Sequence, residues 1–368
     1  MKVRYHIYKD VKLKKSVSSD EEAYARGSRE ALERRYSFVA MCLVAETHTL
    51  YLGCTNAVGD LLVAFDLEKR EFQSCGYNTS GLREKNELKI HKGLWYDRDN
   101  KALFFGTSTL SEHPELVESP GGGLIEYRIR DGSFREIARP TPGDFYQATN
   151  YNPELKQLYF YTMPGWCFGV YDLKKDGVVR LLPMSSIPHI GTIDRDGGVW
   201  GTYSRSRHAF FRYLAREDRF EFPKGCAFPN AVKASDVMYT GAGPIDSIIT
   251  GRDGMIYTGS ALGEFFRVDP ESKRVEYLGK PFQGERLPAM CQAEDGWIYL
   301  AGGNDRDPVL ARYDISTGHF DYPGAVSAED GTTCYRCHEM VIKDNRVYIG
   351  ETDNPERSGY LWECELES

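Results

Sequence analysis

The sequence predicts an all-β fold, a seven-bladed β-propeller with a short N-terminal helix, and three observations carry that prediction. The first is composition. Among 368 residues, 36 glycines and 24 tyrosines against 5 tryptophans suit short twisted strands joined by tight turns. The second is repetition. One hairpin phrase recurs as Leu50 to Gly53, Leu103 to Gly106, Leu158 to Tyr161, Val199 to Thr202, Ile256 to Gly259, Ile298 to Ala301 and Val347 to Gly350. The copies lie roughly 40 to 57 residues apart, the period of propeller blades. The third is turn chemistry: Asp99-Asn100, Asp196-Gly197, Asp253-Gly254, Asp295-Gly296 and Asp344-Asn345 precede the phrase and supply the positive φ that hairpin turns demand.

Each phrase is followed by a third strand, as in Val63 to Asp66 or Phe266 to Asp269, and then by a fourth, as in Arg274 to Leu278. Four strands per repeat, closed radially, solve the problem of exposed sheet edges. The last repeat runs out one strand short, at Leu366, and the alternation of Val3, Tyr5 and Ile7 marks Lys2 to Tyr8 as the strand that completes it. Asp20 to Arg35 reads as a helix, with Ser19 or Asp20 as its cap, Glu21 and Glu22 in its first turn and Arg34 and Arg35 in its last. Its few small apolar residues place it on the propeller surface. The chain thus divides into residues 1–36, an N-terminal strand and helix, and residues 37–368, a single propeller domain.

A net charge of −8, with 46 scattered lysines and arginines, gives no nucleic-acid footprint. No run of about 18 apolar residues marks a membrane partner, and the chain start lacks an apolar leader. Nine cysteines, an odd number and mostly isolated, do not form a disulfide framework, so a reducing, cytoplasmic setting is expected. An exported chain with its leader removed would read the same. Nothing in the sequence fixes an oligomeric state.

The first strand of each blade lines the central channel of a propeller. Counting back about ten residues from each phrase brings His91 or Lys92, Tyr146 or Gln147, His189, Asp246, Met290 or Cys291, and Cys337 or His338 to the axis. Convergent polar groups of this kind mark a site. His113 sits in the long insertion Ser108 to Gly123, and Tyr146, Tyr151, Tyr159, Tyr161 and Trp166 make the third repeat aromatic, as core or as a sugar platform. Arg205 and Arg207 follow the fourth phrase and carry guanidiniums that fork onto carboxylates.

Cys334, Cys337 and His338 spell the c-type haem attachment motif, but the motif runs into a predicted strand and no haem is expected. Two thiolates and an imidazole suit a structural divalent metal, zinc foremost, with Cys42, Cys54 or Cys291 as the fourth ligand. Ordinary buried cysteines beside a satisfied histidine are the alternative.

The segment Lys89 to Gly93 with His113, the Gly121 to Tyr127 stretch and the Cys334 to His338 cluster, set in this architecture, resemble the seven-bladed propeller polysaccharide lyases of the ulvan-lyase and oligogalacturonide-lyase type. The resemblance implies cleavage of an acidic, uronate-containing oligosaccharide by β-elimination. It also implies proton transfer by histidine and tyrosine, from among His91, His113, His189, Tyr146 and Tyr161, with Arg205 or a metal against the uronate carboxylate. The chemistry is consistent: a neutralised carboxylate stabilises the enediolate formed when the C5 proton leaves. The competing expectation is a non-catalytic, metal-stapled propeller that binds a glycan or a protein.

Overall fold

The computed structural model describes residues 1–11, 29–110, 114–185, 190–203, 209–229 and 244–367. Its strands run in chain order. Lys2–Ile7 is β1. Then come Ser37–Val44 (β2), Thr49–Thr55 (β3), Leu62–Asp66 (β4) and Glu71–Ser74 (β5). Lys89–Asp97 (β6), Ala102–Ser108 (β7), Leu124–Arg128 (β8) and Ser133–Ala138 (β9) follow. Next are Phe145–Asn152 (β10), Gln157–Met163 (β11), Cys167–Asp172 (β12) and Gly177–Pro183 (β13). Thr192–Ile193 (β14), Gly198–Tyr203 (β15), Ala209–Leu214 (β16) and Arg219–Glu221 (β17) precede Ile245–Thr250 (β18), Ile256–Ser260 (β19), Phe265–Val268 (β20) and Val275–Gly279 (β21). Ala289–Gln292 (β22), Ile298–Asn304 (β23), Asp307–Asp314 (β24) and His319–Ala325 (β25) lead to Cys337–Lys343 (β26), Arg346–Glu351 (β27) and Tyr360–Glu365 (β28).

These strands pair antiparallel in consecutive sets of four, and β1 joins the last set in the order β1-β28-β27-β26. The first two sets are linked by one pairing, Thr55 with Lys89. The innermost strands β2, β6, β10, β14, β18, β22 and β26 each lie beside the next, and β26 lies beside β2. Radial sheets that close on themselves in this way make a β-propeller. No helix among the described residues is long and apolar enough to cross a membrane.

The hairpin phrase earns its composition in two ways. Its aromatic residue ties back to the turn: the Tyr257 hydroxyl donates to Asp253 at 2.7 Å and the Tyr299 hydroxyl to Asp295 at 3.0 Å. Its glycine makes room for the neighbouring sheet. A Cβ on Gly53 would sit 2.8 Å from the Ile90 carbonyl, and one on Gly350 2.5 Å from the Phe38 carbonyl. The turns hold positive φ at Gly197, Gly254, Gly296 and Asp344, but in the second sheet that burden falls on Lys101, after the Asp99-Asn100 pair.

The pairing of β1 with β28 runs from Lys2 opposite Glu365 to Ile7 opposite Tyr360. Tyr5 stacks on Tyr360 with ring centroids 4.9 Å apart, and Val3 is buried among the residues between the last two sheets. The fully buried carboxylate of Glu363 gathers His6 from β1, Arg70 from the first sheet and Arg346 from β27, at 2.8, 3.2 and 3.6 Å. One side chain therefore joins both chain ends to the first sheet. Deleting residues 1–7 strips that edge and its apolar cover. The deletion is expected to lower stability by on the order of 5 kcal/mol and to promote aggregation, measurable by denaturant unfolding with light scattering.

Of the expected helix, Arg29–Arg34 (α1) is described and residues 12–28 lie outside the described residues. It is less superficial than its composition suggested, since Leu32 is fully buried against Ala57 and Leu88.

Candidate site at the channel mouth

In a strand, successive side chains alternate between faces, so a residue reaches the channel only at every second position unless the ladder is broken. Here it is broken repeatedly. The pairing of β10 with β11 skips Gln147, that of β18 with β19 skips Asp246, and that of β26 with β27 skips His338. On β6 the shift falls between Ile90 and Leu94, releasing His91, Lys92 and Gly93 from the ladder. Such bulges re-aim side chains and leave backbone groups unpaired. Both effects are used. The freed carbonyl of Gln147 accepts from His91 Nδ1 at 2.7 Å, and that of His338 accepts from Lys92 Nζ at 2.8 Å.

His91 and His338, 247 residues apart in sequence, meet with their Nε2 atoms at 3.1 Å, and both are buried. A carbonyl can only accept, so His91 Nδ1 carries a hydrogen. In the neutral ring Nε2 is then an acceptor, and His338 Nε2 donates to it. With one proton more, His91 donates through Nε2 and His338 accepts there, its own hydrogen carried on Nδ1. The pair thus has two hydrogen-bonded arrangements that differ by one proton.

Beneath it, Lys92 is fully buried and donates also to the Pro288 carbonyl, with Glu339 at 3.3 Å. Burial raises the Glu339 carboxyl above its ordinary value, and Lys92 opposes that rise.

The inner strands all begin at one end of the channel, and there the charged groups collect. Arg286, in the connection before β22, holds the fully buried Asp246 through Nε and Nη2 at 2.9 and 2.8 Å. Its Nη1 has no protein acceptor among those bonds. Arg336, just before β26, pairs with Asp305 at 2.7 and 2.6 Å and with Asp353 at 3.2 Å. Lys89, the first residue of β6, is 7% exposed, and its amine forms no hydrogen bond or ion pair with the described residues. Burial pushes it down to about 8; nearby Asp353 opposes the fall and Arg286 adds to it.

The residues expected from sequence fare differently. His91, His338 and Asp246 come together on the channel wall. Tyr146 and Tyr161 turn away from it: Tyr146 packs with Phe104 and Phe160 between the second and third sheets, Tyr161 with Phe168 and Phe211 between the third and fourth. Burial raises both phenols well above their ordinary value, so neither is poised to move a proton near neutrality. His113, His189, Arg205 and Arg207 lie outside the described residues. The glycines of Gly121 to Gly123 serve packing, since a Cβ on Gly121 would lie 2.3 Å from the Thr141 carbonyl.

The Cys334, Cys337 and His338 trio is split. Cys334 and Cys337 are buried with Cys364 between the last two sheets, whereas His338, at the bulge, faces His91. Cys54 belongs to a different core, between the first and last sheets. Among the described residues no group of three or more histidine, cysteine, aspartate or glutamate side chains is placed to hold a metal ion. Sequence adjacency brought these ligands together, and strand alternation separates them.

Lys89, Arg286, Arg336, Asp353 and Glu339 were missed. Lys89 alone carried a signal, standing two residues before His91 at the strand start; the others belong to loops or to positions that a bulge shifts.

The chain is similar in structure to a catalytically inactive histidine-to-alanine variant of virginiamycin B lyase from Staphylococcus aureus, solved with quinupristin. The TM-score is 0.64 at 12% identity, covering 98% of this chain and 99% of that one. A streptogramin B lyase matches at a TM-score of 0.62 and 13% identity, over 89% of this chain and 93% of that one. The extracellular domain of a hybrid two-component system from B. thetaiotaomicron gives 0.60 at 10%, over 89% of this chain but 40% of that one. No family model and no curated protein matches the sequence. At these identities the likeness defines the class, a β-propeller, and nothing narrower.

Proposed function

We propose that the protein is a seven-bladed propeller whose channel mouth is the active site of a carbon–oxygen lyase, acting on an acidic, uronate-bearing oligosaccharide by β-elimination. The observation that carries this reading is the His91–His338 contact on the strand that also carries, two residues earlier, the buried Lys89, whose amine lies near Arg286 and has no hydrogen-bond or ion-pair partner among the described residues. Near neutral pH Lys89 is mostly protonated. The ammonium and the spare Nη1 of Arg286 neutralise the uronate carboxylate, which makes the C5 proton removable and stabilises the enediolate. The histidine pair takes that proton, and its protonated form returns it to the departing glycosidic oxygen. Two of the structural neighbours are lyases, which supports the reaction class by analogy of fold alone.

The test is the ultraviolet absorbance of the unsaturated uronate product over a panel of uronate oligosaccharides. Absorbance should grow with the wild-type protein, and His91→Ala should slow it by about 10²- to 10⁴-fold. A flat trace across the whole panel sinks the lyase. Oligosaccharide binding without absorbance gain would make the channel mouth a binding platform instead.

A further inference from the structure

The Lys89 amine has a second chemical character that does not depend on the uronate reaction. An ordinary lysine is a surface cation, inert because its lone pair carries a proton. Lys89 is instead buried at the end of an inner strand, faces the channel, and among the described residues has no carboxylate or carbonyl within hydrogen-bond or ion-pair distance to hold its proton in place. Its neighbour in the channel, Lys92, shows the contrast. That amine is fully buried, and it is tied to two carbonyls and to Glu339, which use up its donors. The loop residues around Lys89 are arranged unevenly. Arg286 spends Nε and Nη2 on Asp246 and keeps Nη1, while Arg336 spends all three nitrogens on Asp305 and Asp353. Among the described residues, one amine and one guanidinium edge without an acceptor therefore share the mouth.

We propose that Lys89 is a carbonyl-reactive amine that forms a Schiff base with small oxo acids, the carboxylate of the ligand resting on Arg286 Nη1. The neutral Nζ attacks the carbonyl carbon, forming the C–N bond while the C=O π pair moves to oxygen. The oxygen is protonated, the nitrogen loses a proton, and the carbinolamine expels water to leave the imine. Amine plus carbonyl gives imine plus water, so no oxidant or reductant enters. The lowered proton affinity of Lys89 supports this chemistry, since near neutral pH its free-amine fraction is roughly a few hundred times that of an exposed lysine. The groups that set its charge state are Asp353, from the β27–β28 connection, and Arg286, from the connection before β22.

The test uses the full chain near neutral pH with glyoxylate and sodium cyanoborohydride, which reduces an imine to a stable amine, followed by peptide mass spectrometry. Lys89 should carry the reduced adduct about tenfold faster than the exposed Lys69, and Lys89→Arg, checked for folding by circular dichroism, should lose that adduct. Acetaldehyde, which has the carbonyl but no carboxylate, should label Lys89 several-fold more slowly than glyoxylate. Labelling of Lys89 no faster than of Lys69 overturns the proposal. Equal rates with the two aldehydes overturn the part assigned to Arg286. Neither result depends on any uronate turnover, so this inference and the lyase stand or fall separately.

Discussion

Lys89→Met is expected to make the protein more stable, by about 2 to 3 kcal/mol near pH 7. The amine is buried with no hydrogen-bond or ion-pair partner among the described residues, and its proton affinity falls from the ordinary 10.5 to about 8, a gap that corresponds to about 3 kcal/mol. The sign follows from proton counting. Between pH 8 and 10.5 the unfolded chain binds more protons at this side chain than the folded one, so the wild type gains stability as pH rises through that window. Below pH 8 both states are protonated and the full penalty is present. Above 10.5 both are neutral and the penalty is gone. Methionine has nearly the same length and no charge to desolvate, so the advantage of Lys89→Met should be greatest at pH 7 and should fade towards pH 10.5. Urea unfolding of both proteins at a series of pH values checks it. Equal stability at pH 7, or a difference indifferent to pH, would mean that Lys89 is not an unpaired buried amine.

Arg286→Ala is expected to act in the opposite direction and strongly. Asp246 is fully buried, and its two oxygens accept from Arg286. Removing the guanidinium takes two charge-assisted hydrogen bonds from a buried carboxylate in the channel wall, which costs about 3 to 5 kcal/mol. Removing Asp246 as well should recover much of that loss, because the double variant no longer buries the carboxylate that Arg286 holds. Chemical denaturation of the two single variants and the double variant closes the cycle. If Arg286→Ala alone is no less stable than the double variant, the pair is not the buried contact that the distances describe.

Much of the fold was legible in the sequence because the repeat reports physical demands directly. The glycine of the phrase is required where the next sheet approaches, its aromatic residue reaches the turn aspartate, and Val3, Tyr5 and Ile7 alternate as an edge strand must. The site was legible only where counting along a strand suffices. That count reached His91, Asp246 and His338; of its alternatives Tyr146 and Gln147, Gln147 falls at the bulge and Tyr146 in the core between sheets, as does Tyr161, which the resemblance and not the count had named. Proximity in sequence misled at Cys337 and His338, neighbours that point to opposite sides. Arg286, Arg336 and Asp353 sit in connections of irregular length, where no period indicates what faces the axis.

The bulges at Gln147, Asp246 and His338 have a consequence for how such a protein can change. A residue outside the ladder contributes no cross-strand register, and its exchange leaves the pairing on either side in place. Each bulge is a socket that stands outside the strand pairing and is tied to its partners across the channel, as Asp246 is to Arg286. Channel chemistry can be rewritten one socket at a time while the ring keeps its closure, so two propellers of this build can share an architecture and have almost nothing in common along their axes.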